Sequence, residues 1–251
     1  MVEMVMLKKY ELTEQHPDTG LWRIKALRDF GNVAKGDIGG WIEGEKNLSH
    51  EGDAWVSGDA EVSGKAEVFG DARVSGDARV SGDAWVSGDA WVSGDAWVSG
   101  DAWVSGDARV SGDAWVSGDA WVSGDARVSG DAWVFGDARV SGDAWVSGDA
   151  WVSGDAEVSG KAEVFGDARV SGDARVSRAK HTSNVWTMTL GKHTITVDGD
   201  YLNIGCESHT IKQWLKNFRK IGEMEGYSPE EIERYGDAIT MINKWLKADG
   251  S

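Results

Sequence analysis

Cysteine, proline and long hydrophobic runs are scarce in this sequence. The single cysteine, Cys206, excludes an intramolecular disulfide framework, and with only two prolines almost every residue can donate a backbone hydrogen bond. No apolar run approaches the roughly 18 residues that a membrane-spanning helix needs. The start, Met1 to Tyr10, is too short and too soon charged for a secretory signal. We therefore expect a cytoplasmic protein with no membrane partner.

Positive charge is also scarce. The chain carries 26 Lys and Arg against 42 Asp and Glu, a formal net charge of -16. An acidic surface repels phosphate, so extended nucleic acid and anionic membranes are disfavoured partners, although local basic stripes are compatible with the sequence. Disorder is excluded as well, because 41% hydrophobic and 10% aromatic residues are too many for a solvated chain.

The sequence is instead dominated by a six-residue repeat. The unit V-S-G-D-A-x recurs from Gly52 to Ser177, with Val at every sixth position from Val56 to Val176, 21 units in all. A period of six fits neither an amphipathic helix nor a heptad. Short self-similar units indicate a parallel β-helix, in which each unit supplies one strand and one corner.

The residue type at each place of the unit agrees with this interpretation. Side chains alternate along a strand, so Ala54 and Val56 are predicted to point inward while Trp55 points outward. Gly58 and Asp59 then form the corner. Glycine tolerates positive φ, and aspartate can bond its own backbone in a tight turn.

The hexapeptide resembles that of left-handed parallel β-helix proteins, in which an aliphatic residue is followed four places later by a small one, as in Val62 and Ala66. The resemblance implies three units per triangular coil, about seven regular coils and a left-handed crossover. Such proteins commonly assemble as trimers, so it also implies a homo-oligomer. Many of them are acyltransferases that use a histidine base.

The segments before the repeat resemble the entry region of phage and prophage hexapeptide-repeat proteins, often catalogued as transferases or polymer-forming proteins. The resemblance lies in residues 22–30, in Gly39 to Glu43 and in Asn47 to Ser49. It implies a bacterial host cytoplasm and a phage or host protein as a partner.

The change of pattern along the chain predicts three parts. Residues 1–50 form an N-terminal β-hairpin cap and an irregular first coil, and residues 51–180 form the solenoid. Residues 181–251 form a small α+β domain of short strands and two helices, with a capping box at Ser228 to Glu231 opening the second helix.

Outward positions 18 residues apart are predicted to stack into columns, one on each face of the solenoid. The first face carries Glu61, Arg79, Trp97, Trp115, Trp133, Trp151 and Arg169. The second carries Glu67, Trp85, Trp103, Trp121, Arg139, Glu157 and Arg175, and the third carries Trp55, Arg73, Trp91, Arg109, Arg127, Trp145 and Glu163.

The tryptophan columns of the first two faces, with Arg79, Arg139 and Arg169 at their ends, are the predicted contact surface. Stacked indoles ending in arginine suit a protein partner, a second copy of the chain, a glycan, or bases and nucleotides. The alternative is that the indoles only stabilise the solenoid by stacking across strands. A strip of this size is unusual on a monomer, which favours an interface or a ligand.

Catalytic candidates are few. His50 precedes the regular coils and is the one candidate base for acyl transfer, although a cap histidine is the simpler interpretation. Cys206 and His209 lie at a predicted strand-to-helix junction, where a helix N-terminus could activate a thiol, but no third orienting group is recognisable. The sequence thus leaves catalysis open and leans against it.

No cofactor is expected, and no metal site either. The corner aspartates could attract cations, yet a turn-forming Asp explains their spacing and the calcium-binding nonapeptide motif is absent. We therefore predict a non-enzymatic scaffold that oligomerises or binds a partner through its Trp and Arg strips. The alternatives are a hexapeptide-repeat acyltransferase and a protein that sequesters a nucleotide or a host defence factor.

Overall fold

The computed structural model describes residues 8–177, 186–191, 193–198, 201–205 and 207–249. Within them the chain is mainly β, with a β-solenoid of about eight turns and two helices near the C-terminus. The predicted mainly β solenoid is confirmed. The left-handed crossover stays a prediction from the resemblance.

An antiparallel hairpin leads into the solenoid. β1 (Tyr10–Gln15) pairs with β2 (Trp22–Ala26), which pairs with β3 (Ile38–Ile42). β3 then pairs in parallel with the first regular strand of the same face, Glu61–Val62. The hairpin sheet is therefore continuous with one face of the solenoid, and it covers the strand edge at that end.

The first coil is irregular. After β3 the chain forms a 3-10 helix (Glu45–Asn47), and Leu48 makes an isolated parallel bridge to Val68. The Asn47 side chain donates hydrogen bonds to the carbonyls of Gly64 and Ala66. A side-chain amide thereby takes the place of backbone pairing where the repeat has not yet begun.

The regular strands are two residues long, each an outward residue followed by a buried valine. They are β4 (Trp55–Val56), β5 (Glu61–Val62), β6 (Glu67–Val68), β7 (Arg73–Val74), β8 (Arg79–Val80), β9 (Trp85–Val86), β10 (Trp91–Val92), β11 (Trp97–Val98), β12 (Trp103–Val104), β13 (Arg109–Val110), β14 (Trp115–Val116), β15 (Trp121–Val122), β16 (Arg127–Val128), β17 (Trp133–Val134), β18 (Arg139–Val140), β19 (Trp145–Val146), β20 (Trp151–Val152), β21 (Glu157–Val158), β22 (Glu163–Val164), β23 (Arg169–Val170) and β24 (Arg175–Val176).

Every third strand belongs to the same sheet, so three parallel sheets enclose the core. Strands pair in register, and Trp97 and Val98 lie opposite Trp115 and Val116 of the next coil. The N–H of Trp97 donates to the carbonyl of Ala114 at 2.9 Å, and this bond recurs from coil to coil. Residues 18 apart are thus direct neighbours, as the sequence predicts.

The core consists of the alanines and valines of the repeat. Of the solenoid alanines and valines, almost all are fully buried, whereas most of the outward residues are not. Each unit contributes one small alanine and one branched valine to the interior. Successive coils therefore fill the narrow triangular core without large side chains. The predicted inward positions are confirmed.

After the solenoid, four antiparallel strands form a second sheet, with two helices packed on it. They are β25 (Trp186–Leu190), β26 (His193–Asp198), β27 (Tyr201–Ile204) and β28 (Glu207–Thr210), followed by α1 (Ile211–Met224) and α2 (Pro229–Asp249). The core between sheet and helices contains Trp214, whose indole N–H donates to the carbonyl of Leu202 at 2.6 Å.

Both helices begin at side-chain caps. The Thr210 hydroxyl accepts the N–H of Gln213 ahead of α1, and the predicted capping box at Ser228 and Glu231 opens α2. The sequence does not predict the fourth strand, β28, because it indicates a strand-to-helix junction at these residues. Within the described residues, neither helix combines the length and the apolar composition that crossing a bilayer requires.

The C-terminal sheet contacts the last coils of the solenoid. The Asn203 side chain donates to the carbonyl of Arg175 at 2.6 Å, and the hydroxyl of Thr194 lies close to Gly172. The second end of the solenoid is therefore also covered by β-structure. The boundary predicted at residues 180 and 181 lies outside the described residues, and the three-part division stays a prediction.

Candidate functional site

Four tryptophans form a continuous stack on the first face of the solenoid, here called the first ladder: Trp97, Trp115, Trp133 and Trp151. Successive ring centroids lie 4.9, 4.9 and 5.2 Å apart, with interplanar angles of 3°, 7° and 6°. The indoles are parallel because their strands pair in register at one coil per step. The predicted strip is therefore present as an ordered stack.

The second ladder consists of Trp85, Trp103 and Trp121 on the second face. Its centroid distances are 4.9 and 5.2 Å, and its interplanar angles are 4° and 6°. Both ladders have the geometry of parallel aromatic stacking, which adds to the stability of a sheet.

Arginines lie at both ends of the first ladder and at one end of the second. The guanidinium of Arg79 lies 5.1 Å from the ring of Trp97, and that of Arg169 lies 5.4 Å from the ring of Trp151. On the second face, Arg139 lies 6.0 Å from the ring of Trp121. These distances allow cation–π attraction.

Two glutamate–arginine ion pairs occur in the same two columns. Arg79 lies 3.8 Å from Glu61 on the first face, and Arg175 lies 3.8 Å from Glu157 on the second. Both pairs come from the segment of residues 57–80, which recurs identically at residues 153–176. Because the spacing from Glu to Arg is one coil, each copy forms its own pair on whichever face it occupies.

Exposure differs along the ladders. In the first ladder Trp133 and Trp151 are 36% and 38% exposed, and in the second Trp121 is 47% exposed. The tryptophans nearer the N-terminal end, such as Trp97 and Trp103, are partly covered. The indoles therefore both stack on one another and present aromatic surface to solvent, so the two interpretations of the strips are compatible.

Two phenylalanines lie beside the ladders and enlarge their aromatic surface. The column pattern of the sequence does not predict them. Phe69 meets Trp85 edge to face at 5.6 Å and 86°, and Phe135 meets Trp151 at 5.9 Å and 81°. Each stands where the repeat normally has serine. A break in the serine column was the signal that could have identified them.

The third face differs from the other two. Trp55 was expected on its surface, but its ring is covered by the N-terminal cap, with Phe30 5.3 Å and Tyr10 6.4 Å away, so it belongs to the core. Trp91 and Trp145 are 49% and 44% exposed. These two tryptophans are separated by arginines and do not continue a ladder.

The corner aspartates surround all three faces with negative charge. The pKa of Asp113 is raised by reduced hydration and by the charges of Asp131 and Asp95, its neighbours on adjacent coils. The pKa of Asp119 is raised in the same way, with Asp137 as a neighbour. In the described part of the chain no cluster of three or more His, Cys, Asp or Glu side chains has a metal-binding arrangement.

His50 lies inside the N-terminal cap. Its ring stacks on Tyr10 at 4.3 Å, and its Nδ1 accepts the backbone N–H of Lys9 at 3.2 Å. Its Nε2 is buried and lies 3.8 Å from Glu45, too far for a hydrogen bond. Burial lowers the pKa of His50 despite the nearby carboxylate. The surroundings of His50 are those of a cap residue.

The other catalytic candidates lie in the C-terminal sheet. Cys206 is outside the described residues. His209 is paired through Nε2 with Glu207 at 2.6 Å, and its ring meets Trp214 edge to face at 5.1 Å. It lines an open groove of about 410 Å³ beside α1, together with Gln213 and other residues. The Glu207 carboxylate orients the imidazole, but a Cys–His pair is not described.

In a comparison with protein families, segments of the chain match the YdcK beta solenoid repeat. The matched segments are residues 72–88, 102–118, 120–136, 132–148 and 138–154. All lie in the solenoid and include parts of both ladders. Together with the structure, this similarity makes the chain a β-solenoid repeat protein. No curated protein matches the chain.

Proposed function

We propose that this β-solenoid is a non-enzymatic scaffold that associates with a second copy of itself through the first ladder. The observation that carries the proposal is the ordered stack of four indoles, with Trp133 and Trp151 more than a third exposed. Contiguous aromatic surface of this kind is uncommon on monomers and is typical of contact surfaces.

The order of residues on the first face is complementary to itself when reversed. Along successive coils it reads Glu61, Arg79, Trp97, Trp115, Trp133, Trp151 and Arg169. If an antiparallel copy places Trp115 on a two-fold axis, Glu61 faces Arg169 of the partner subunit. The Arg79 guanidinium then faces Trp151 of the partner subunit, so the central contact is aromatic and both ends pair opposite charges.

A two-fold arrangement also closes the assembly. An isologous interface uses the same patch on both copies and leaves no ladder free to recruit a third. The corner aspartates oppose close approach, but their repulsion is screened over about 8 Å at physiological salt. We therefore expect a dimer, in place of the trimer that the resemblance to left-handed β-helix proteins implies.

The test is the mass of the purified chain, by light scattering, for four proteins: the parent, Glu61→Arg, Arg169→Glu and the double variant. Each single variant places like charges opposite one another and should weaken the dimer at least tenfold. The double variant restores both pairs and should restore the dimer. Glu and Arg both occur at outward positions of the repeat, so the fold should tolerate either change.

The indole contact is tested separately. Trp115→Ser with Trp133→Ser should give a monomer with an unchanged far-UV circular dichroism spectrum. Trp103→Ser on the second ladder is the matched control and should leave the dimer intact. A parent protein that is monomeric at all concentrations, or a trimer insensitive to both sets of variants, would overturn the proposal; co-purification of a phage or host protein that competes for Trp115 would assign the strip to that partner.

The alternative of an acyltransferase receives no support from the surroundings of His50. Its Nδ1 already accepts a backbone N–H and its Nε2 is buried in the cap. A general base needs a free ring nitrogen within reach of the acceptor hydroxyl. Titration with acetyl-CoA, followed by His50→Ala, distinguishes the two functions, because a scaffold should neither bind it nor turn it over.

A further inference from the structure

Two arginines occupy adjacent coils on the third face, between the exposed Trp91 and Trp145. The strands pair Trp91 with Arg109, Arg109 with Arg127, and Arg127 with Trp145, all in register. Four consecutive coils thus present an indole, two guanidinium groups and a second indole. This cluster belongs to neither ladder and is here called the third-face cluster.

Within the part of the chain that the structure describes, the arginine pair has no carboxylate partner. Elsewhere on the solenoid Arg79 and Arg175 pair with glutamates, and Arg73 donates to the Asn32 side chain. Over the described residues, neither Arg109 nor Arg127 has an ion pair. Like charges directly opposite one another destabilise a sheet. An anion that contacts both guanidinium groups would relieve this repulsion, and guanidinium groups bind phosphate with bidentate geometry.

The flanking indoles are available for stacking. Neither Trp91 nor Trp145 stacks on another aromatic ring in the described part of the chain, in contrast to the ladder tryptophans. The indole N–H of Trp145 donates to the Ser129 hydroxyl at 3.2 Å, which holds the ring in place. Arg109 lies 5.9 Å from the ring of Trp91. Each indole is therefore positioned one coil from a guanidinium group, with 49% and 44% of its surface exposed.

We propose that the third-face cluster binds a nucleoside phosphate, with its phosphate groups on Arg109 and Arg127 and its base on an adjacent indole. Base stacking on tryptophan is favourable for every base. Arg109 and Arg127 lie directly opposite one another on neighbouring strands, whose backbones are about 4.8 Å apart. The corner aspartates beside the cluster, among them Asp107 and Asp125, repel additional phosphates. The site therefore suits a compact ligand and not an extended nucleic acid strand.

The proposal does not depend on association through the first ladder, because the two surfaces lie on different faces. The test titrates ADP, adenosine and inorganic pyrophosphate separately into the whole chain and follows binding by calorimetry. ADP should bind more tightly than either of the other two probes, since it alone can contact the guanidinium groups and an indole together.

Three variants locate the site. Arg127→Glu should reduce the affinity for ADP at least tenfold. Arg175→Glu, the same change of charge on the second face at an arginine that pairs with Glu157, is the matched control and should leave the affinity unchanged. A double change, Trp91→Ser with Trp145→Ser, should weaken ADP binding and leave pyrophosphate binding unaltered. Glutamate already occupies outward positions of the repeat, as at Glu61, so folding should persist.

Two outcomes would overturn the proposal. The first is no measurable binding of ADP by the parent protein. The second is an equal loss of affinity in Arg127→Glu and Arg175→Glu, which would mean that net charge and not the third-face cluster determines binding. Quenching of indole fluorescence by ADP in the parent, absent from the double tryptophan variant, would provide independent support for the stacking contact.

Discussion

A Cβ atom placed on Gly100 would lie 2.9 Å from the backbone nitrogen of Gly118 and 3.0 Å from its carbonyl oxygen. Gly100 also has a φ of 70°, a conformation that L side chains rarely adopt. Corner glycines of adjacent coils therefore approach one another backbone to backbone. Glycine is required at the corner both by its backbone conformation and by the closeness of the next coil.

Alanine substitutions can separate these two requirements. Gly100→Ala should lower the free energy of unfolding by about 2 kcal/mol or more, since it adds a backbone clash to an unfavourable φ. Gly36 has a φ of 97° and nothing within 4 Å of the added Cβ. Gly36→Ala should therefore lower the free energy of unfolding only by the cost of the unfavourable backbone conformation. Gly44→Ala, with extended backbone and nothing within 4 Å, should cost least.

Urea unfolding followed by far-UV circular dichroism measures all three variants. The expected order of destabilisation is Gly100, then Gly36, then Gly44. Equal losses for Gly100→Ala and Gly36→Ala would contradict a contribution from the contact between coils.

Much of the solenoid could be predicted because its signals are local and repeat. The alternation of Ala54 and Val56 with outward residues fixes the core, and a spacing of 18 residues places Trp97 against Trp115 once three units form a coil. Each coil repeats the same environment, so one correct assignment applies to all of them. The stacking geometry of the ladders follows directly from this register.

Features that depend on non-repeating contacts could not be predicted. The burial of Trp55 depends on the path of the N-terminal cap, which brings Phe30 over its ring. β28 has the polar sequence Glu-Ser-His-Thr, which lacks the alternation of a half-buried strand, and it forms because it pairs with β27. The sequence columns place Arg109 and Arg127 on adjacent coils, but the absence of a carboxylate partner among the described residues depends on side-chain positions.

The corner aspartates should make the stability of the solenoid depend on pH. The folded-state pKa of Asp113 is raised, by reduced hydration and by its neighbours Asp131 and Asp95. The native state therefore binds its proton at a higher pH than the unfolded chain does. The resulting stability is fully present below the ordinary aspartate pKa and is lost as pH rises through the raised value.

Asp113→Asn removes this titration together with the negative charge. At neutral pH the variant should be slightly more stable than the parent, and the difference should shrink as the pH is lowered towards 4 or as NaCl is added. Thermal unfolding at several pH values provides the measurement, with Asp18→Asn in the hairpin loop as the control. A variant that is less stable than the parent at neutral pH would mean that the carboxylate has a role in the turn that outweighs the repulsion.

The N-terminal cap contains a fully buried lysine beside a fully buried tyrosine. The ammonium group of Lys9 donates to the carbonyl of Ala54 at 2.8 Å, and the hydroxyl of Tyr10 donates to the carbonyl of Leu48 at 2.8 Å. Burial, together with the charge of Arg28, lowers the pKa of Lys9 to about 8. Burial raises the pKa of Tyr10 above its usual value of 10.

These two shifts act in opposite directions on stability. Between pH 8 and 10.5 the unfolded chain binds more protons at Lys9 than the native state does, so stability rises with pH. Above pH 10 the unfolded chain ionises Tyr10 first, so stability falls. The contribution of the cap should therefore be greatest near pH 10.

Two variants test this optimum by urea unfolding at pH 7.5, 9 and 11, which bracket the pH range set by the pKa shifts of Lys9 and Tyr10. Lys9→Met should cost more at pH 9 than at pH 7.5, because only the parent gains stability as its lysine is deprotonated. Tyr10→Phe should cost about 1 kcal/mol at pH 9 through the lost hydrogen bond to Leu48, and less at pH 11. A cost for Lys9→Met that is constant with pH would mean that Lys9 keeps its ordinary pKa, with its three carbonyl neighbours, Glu51, Gly52 and Ala54, compensating fully for burial.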